Sequence, residues 1–241
     1  MKLILSFLLV ACSFNLFAQD GEVWHEASKE SQAYHQYRLK SSIPPYGLTK
    51  VKVLITKIKS TEDENLKLNN KDYTALSLRE KFTYHMIHAE TYSQNCDVMP
   101  PIQDEHKKIF GYLPDAFDEY SWSERQANFM TSHKDSVIAL IKESANRSKR
   151  LGVNYKMAVV EMNAKEMIPF LISFYKADKK DHDILTVLML LMKKSEYKPF
   201  MASASFKKLY SEEASYQAYL DFNKANEDLI LKRAMDFYGG K

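Results

Sequence analysis

A short apolar run in the C-terminal half limits most strongly how this chain can fold. Residues 184–192 hold eight apolar side chains and one threonine, so a helix here would be apolar on every face. A membrane span needs about 20 apolar residues, and this run is too short. Asp181 and Asp183 precede it and Lys193 and Lys194 follow it, as the helix dipole favours. The run predicts a buried central helix capped by Asp181 or Asp183.

A second helix is predicted just before this run. Apolar side chains recur at helical spacing between residues 164 and 175, and Pro169 either opens a new helix or kinks a longer one. The stretch 168–171 (Ile-Pro-Phe-Leu), followed by Asp178 and a short turn, resembles one repeat of the HEAT family of α-α proteins. The resemblance covers residues 154–200 and implies an antiparallel helical stack in the C-terminal half.

Composition favours one mainly helical domain. Hydrophobic residues make up 45% of the 241 positions, enough for one sizeable core or two small ones. Only six Gly and seven Pro are present, which favours helices over a sandwich. The net charge of +3 comes from 34 basic and 31 acidic residues, and this balance excludes the basic footprint typical of nucleic-acid binding.

One stretch near the N-terminus has the pattern of a strand. Between Lys50 and Lys59, a strand would place Val51, Val53 and Ile55 on one side and Lys50, Lys52 and Thr56 on the other. Residues 64–69 are the predicted hairpin partner. Because a lone two-stranded ribbon is marginal, we expect the strand region, about residues 48–70, to pack on the helices of a single domain that spans residues 19–241.

The first residues have the features of a signal peptide. Residues 1–18 combine a basic start, an apolar core and a small final residue, which predicts cleavage after Ala18 and export to the periplasm, the cell envelope or the medium. Residues 9–12 also allow a lipid anchor at Cys12, but apolar residues follow that cysteine, so this alternative is disfavoured. Cleavage leaves Cys96 alone, which excludes an intrachain disulfide.

Two histidines form the sharpest candidate for chemistry. His85 and His88 are three residues apart on a predicted helix and could share a metal ion. The hallmark zinc helix spaces its histidines four apart and places a glutamate next to the first, which this stretch does not. Structural histidines are therefore the favoured interpretation, and no cofactor is predicted. A metal would need a third ligand, for which the nearby candidates are Glu90, Cys96, Asp97 and His106.

A group of aromatic residues is the candidate binding surface. Tyr112, Phe117 and Trp122, with Arg125 nearby, would bind a peptide or a carbohydrate if they lay exposed together. Packing in the core is the alternative.

Three further signals predict where helices begin. Capping boxes at 77–80 and 121–124 each place a serine three residues before a glutamate. Ser211 is the predicted cap of a long final helix.

Catalytic motifs are missing from the sequence. It contains neither a Gly-rich phosphate loop nor a Gly-x-Ser-x-Gly elbow, which makes an enzyme less favoured without excluding one, since triads do not follow sequence order. The favoured hypothesis is an exported, non-enzymatic binding or scaffolding module for a protein or peptide partner. The alternatives are a metal-dependent hydrolase that uses His85 and His88, and a carbohydrate-binding module.

Overall fold

A computed structural model describes residues 26–94, 100–215 and 217–240. The predicted leader, Cys12, Cys96 and Asp97 lie outside these residues. The described part is mainly helical, as the sequence predicts. Its helices are α1 (Lys29–Leu39), α2 (Leu48–Ile55), α3 (Asn70–Thr74), α4 (Leu78–Ile87), α5 (Glu124–Ser132), α6 (Lys134–Ser148), α7 (Val153–Glu161), α8 (Ile168–Ala177), α9 (Asp183–Lys194), α10 (Lys198–Met201), α11 (Ala204–Tyr210) and α12 (Lys224–Tyr238). The short strands are β1 (Thr91–Tyr92), β2 (Lys108–Phe110), β3 (Tyr120–Ser121) and β4 (Tyr219–Asp221).

Helix α9 is the buried central helix that its apolar run predicts. The side chains of Ile184, Leu185 and Leu188 are completely buried. The helix packs on α7, α8, α10, α12 and β2, so apolar neighbours surround it and it needs no polar face. Pro169 lies in the first turn of α8, which confirms that it opens a new helix. The division of the chain into a leader and one domain stays a prediction.

The predicted strand between Lys50 and Lys59 is wrong, because helix α2 occupies this stretch. Val51, Leu54 and Ile55 have the i, i+3, i+4 spacing that places side chains on one face of a helix. This face packs on α4, where Val51 is fully buried. A short alternation of valine and lysine suits both periods, and tertiary packing decides between them.

The predicted hairpin partner at residues 64–69 is not a strand either. Its backbone is held by the segment around α4 instead. The N–H of Leu66 donates to the carbonyl of Glu90 at 2.9 Å, and the N–H of Leu68 donates to the hydroxyl of Tyr84 at 3.2 Å.

Two antiparallel strand pairs, β1 with β3 and β2 with β4, shift the predicted helix starts. The capping box at Ser77 is confirmed. The predicted box at Ser121 is wrong, since Ser121 pairs with Thr91 in the β1–β3 ladder. The box uses Ser123 and Gln126 instead.

The final helix begins later than predicted, for the same reason. Residues Tyr219–Asp221 form β4 and pair with β2, so they cannot be helical. Asn223 rather than Ser211 caps α12.

Candidate functional site

The predicted metal ligand His85 lies in a buried hydrogen-bond network. Gln126 orients this network, because its side-chain oxygen accepts from the backbone N–H groups of Glu90 at 3.0 Å and Ser123 at 3.1 Å. Its amide nitrogen therefore donates to Nδ1 of His85 at 2.9 Å. The ring proton is then on Nε2, which lies 3.1 Å from the hydroxyl of Tyr73. Both ring nitrogens are used, and burial lowers the pKa of His85 well below 6.5.

The other predicted metal residues also have partners within the protein. Nε2 of His88 donates to the carbonyl of Leu66 at 2.6 Å. His106, a candidate third ligand, lies 3.4 Å from the hydroxyl of Ser31. Within residues 26–94, 100–215 and 217–240, no three His, Cys, Asp or Glu side chains are grouped so that they could hold a metal ion. The metal hypothesis stays a prediction, and these hydrogen bonds support structural histidines.

Arg125, a predicted ligand-binding residue, is bound to Glu90. The Glu90 side chain is 1% exposed. It accepts hydrogen bonds from the hydroxyls of Tyr84 at 2.7 Å and Ser123 at 2.5 Å, and also from the Arg125 guanidinium. That guanidinium lies over the ring of Tyr73, 4.0 Å from its centre. These contacts join α4 to α5, and the guanidinium of Arg125 is paired within the protein.

Two of the three predicted aromatic residues lie together. The rings of Phe117 and Trp122 meet edge-on, with 5.4 Å between centroids. The indole N–H of Trp122 donates to the carbonyl of His85 at 2.7 Å. Tyr112 packs instead beside Phe110, with 5.4 Å between centroids. The three residues are half-buried, and ligand binding by them stays a prediction.

A chain of buried ion pairs, which we call the buried charge network, joins α1 to the rest of the structure. Arg38 is 3% exposed and donates to Glu105 at 2.8 Å and to Asp183 at 3.0 Å. His35, one turn earlier, lies 3.0 Å from Glu105. Burial acts to raise the pKa of Glu105, but hydrogen bonds from His35 and Arg38 outweigh it and lower that pKa.

The same network corrects the interpretation of Asp181 and Asp183 as helix caps. Lys156 is 1% exposed, donates to Asp181 at 2.5 Å and lies 3.9 Å from Asp183. His182 occupies the N-cap position of α9. Burial raises the pKa of Asp181, and Lys156 opposes that shift. The sequence pattern suggested surface caps because the cations that pair with these carboxylates lie far away in the chain.

A groove of about 440 Å³ opens beside Phe117. Its volume is within the range of about 300 to 1,000 Å³ that is typical of ligand pockets. The walls are formed by the loop before α2, by α2 itself, by the end of α4 and by the turn before β3. Ile43 at its rim is 59% exposed. The apolar lining consists of Ile43, Ile55, Met86, Ile87, Ala116 and Phe117.

Helix α7 holds two walls of this groove in place. The fully buried Asn154 accepts from the N–H of Ser42 at 2.9 Å and donates to the carbonyls of Ser42 and Met86, each at 2.7 Å. The N–H of Gly152 donates to the hydroxyl of Ser42 at 2.8 Å. A Cβ at position 152 would lie 2.1 Å from the backbone nitrogen of Ser42. The groove is therefore preformed, and only glycine permits this approach.

Sequence reasoning missed these supporting residues. A glycine just after a predicted helix is typical of the helix end, so the sequence places Gly152 at the end of α6. The structure shows that Gly152 is the N-cap residue of α7. Residues 151–160 are mostly apolar, and Asn154 and Lys156 are the polar side chains among them. An amide in such a stretch is the signal that could have found Asn154, because a buried amide needs partners.

No protein-family model matches the chain, and comparison with curated proteins and with solved structures found no match. In the described part of the chain, no helix combines the length and the apolar character that crossing a membrane requires. The groove and the residues that hold it are therefore the features that indicate a function.

Proposed function

We propose that this protein is an exported, non-enzymatic binding module whose groove holds an apolar segment of a protein or peptide partner. The observation that carries the proposal is a preformed apolar groove with the exposed Ile43 at its rim. Apolar surface beside a concave site is typical of an interaction surface. The described lining residues are apolar or hydroxyl-bearing apart from one lysine, and they include no pair of acid and base of the kind that proton transfer needs.

A HEAT-like stack of helices is the scaffold in this proposal. Helices α7, α8 and α9 follow one another through short connections, and α9 packs on both of the others. Such a stack would hold the groove rigid, because Asn154 of α7 bonds to two of its walls. Export is supported by the signal-peptide pattern of residues 1–18.

Peptide binding to the mature protein tests the proposal. The full chain is expressed in a bacterial host and purified from the periplasm, where an intact mass that starts at Gln19 checks cleavage. Short fluorescein-labelled peptides carry a Leu-Phe-Leu anchor in Gly-Ser flanks, and anisotropy follows binding. We expect saturable binding that Ile43→Asp weakens about tenfold or more, because an anchor contact at the rim contributes at least about 1.4 kcal/mol.

Met235→Asp is the matched control, since Met235 is 44% exposed on α12 and takes no part in the groove. This variant should bind as the unchanged protein does, and thermal melting should show that both variants remain folded. The proposal would be contradicted if both variants lost peptide affinity equally, or if a Gly-Ser peptide without the anchor bound. A purified product that keeps residue 1 would contradict export.

A further inference from the structure

Among the described residues that line the groove, Lys52 of α2 is the one charged side chain. Lys52 is exposed and forms no ion pair with any residue in the described ranges. Its neighbour Lys50 differs, since it lies 3.0 Å from Glu80. Lys57 and Lys59 continue the basic surface and are exposed as well. Residues 48–59 contain four lysines and no acidic residue.

Exposed apolar side chains accompany these lysines. Val53, next to Lys52, is 49% exposed, and Ile43 on the facing loop is 59% exposed. An apolar surface edged by cations complements a partner segment that carries both apolar and acidic side chains. Complementary charge of this kind governs orientation and the rate of association.

Acidic residues border the groove without lining it. The Asp115 carboxylate accepts from the backbone N–H of Phe117 at 3.0 Å, so it is engaged within its own turn. Asp118 and Glu119 follow Phe117, and residues 62–64 follow the lysines, all of them exposed. The charge inside the groove is therefore that of Lys52.

We propose that the groove selects an acidic partner segment, with an apolar anchor seated against Ile43 and Phe117 and an Asp or Glu side chain beside it paired with Lys52. This inference rests on the proposed function and names the chemistry of the partner. Side-chain carboxylates fit better than a single C-terminal carboxylate, because Lys57 and Lys59, which follow α2 in the chain, are exposed as well and a segment with several acidic side chains can pair with more than one cation.

The test uses C-terminally amidated peptides that share the Leu-Phe-Leu anchor and differ only in acidic, neutral or basic flanks. We expect the acidic peptide to bind tightest and its advantage to shrink as NaCl is added. Lys52→Glu should lower the affinity for the acidic peptide about fivefold or more, and should change the affinity for the neutral peptide by no more than about twofold. The matched control is Lys207→Glu, an exposed lysine on α11, which should leave the acidic peptide unaffected.

The outcomes separate this inference from the proposed function. If the neutral peptide binds and the acidic peptide binds no tighter, selection for acid is wrong and the apolar groove stands. Equal losses in Lys52→Glu and Lys207→Glu would show general attraction to a charged surface and overturn the inference. A neutral peptide with a free C-terminus could also bind tighter than its amidated form. That result would show that Lys52 pairs with a terminal carboxylate and that the side-chain carboxylate is wrong. Absence of binding by every peptide would overturn both proposals.

Discussion

At the residue scale, buried charge is stable here because each group has a partner of opposite sign. Removing a carboxylate or a guanidinium from water is costly unless it is paired. Arg38 meets two carboxylates, Glu105 and Asp183, and Lys156 meets Asp181. Arg38 thereby fastens α1 to α9, and Lys156 fastens α7 to the residue before the N-cap of α9. The side chains that α1 buries are mainly polar.

Replacing Arg38 with methionine tests this account. Arg38→Met keeps much of the side-chain volume but removes the guanidinium that bonds to Glu105 and Asp183. It leaves only His35 beside Glu105 and Lys156, 3.9 Å away, beside Asp183. We expect the free energy of unfolding to fall by about 3 to 5 kcal/mol, measured by urea denaturation. Arg79→Met is the control. The ion pair of Arg79 with Glu143 is about half exposed, at 51% and 54%, and an exposed pair contributes far less to stability than a buried one. Similar losses in the two variants would refute the account.

At the scale of elements, α7 serves both the core and the groove. Its Tyr155, Ala158 and Val159 are fully buried in the main cluster, while Asn154 and the preceding Gly152 bond to the loop before α2. A groove wall made of loop backbone thereby gains the rigidity of a packed helix, which reduces the ordering cost of binding.

Gly152→Ala should damage this wall selectively. Because the new Cβ would lie 2.1 Å from the nitrogen of Ser42, the loop must move, at a cost of about 1 to 3 kcal/mol. We also expect weaker binding of the neutral anchor peptide at temperatures where the variant is folded. In the control Gly239→Ala, the Cβ lies 3.4 Å from a carbonyl oxygen, and the free energy of unfolding should stay within about 0.5 kcal/mol. Wild-type peptide affinity in Gly152→Ala would contradict this prediction.

At the scale of the whole molecule, one large and one small apolar cluster meet at α4. Phe82 and Met86 belong to the large cluster and Tyr84 to the small one.

Two buried histidines are neutral. Burial lowers the pKa of His182 from 6.5 to about 4 and lowers the pKa of His85 well below 6.5.

Acid should therefore destabilise the fold. As pH falls from about 6.5 towards 4, these histidines bind protons in the unfolded chain but stay neutral in the folded protein. The free energy of unfolding therefore falls. The His182 contribution is on the order of 3 kcal/mol. Asp181 opposes it in acid, because its folded pKa is raised above 3.8.

His182→Phe tests the sign of this effect. The His182 ring stacks on Phe222 with 3.6 Å between centroids. A phenylalanine ring can keep this stacking but cannot titrate. Urea denaturation at neutral and acidic pH should show a smaller loss of stability in acid than in the unchanged protein. An unchanged slope in His182→Phe would show that the sign or the residue is wrong.

Local patterns were enough to predict the mainly helical class, the burial of α9 and the cap at Ser77. Hydrophobic period and capping hydrogen bonds act within about four residues, so the sequence alone determined them. Tertiary structure decided that Leu48–Ile55 is a helix, that strand pairing delays α5 and α12, and that Asp183 is buried. The partner of Asp183 is Arg38, 145 residues away, and a contact at that separation exists only after the chain has folded.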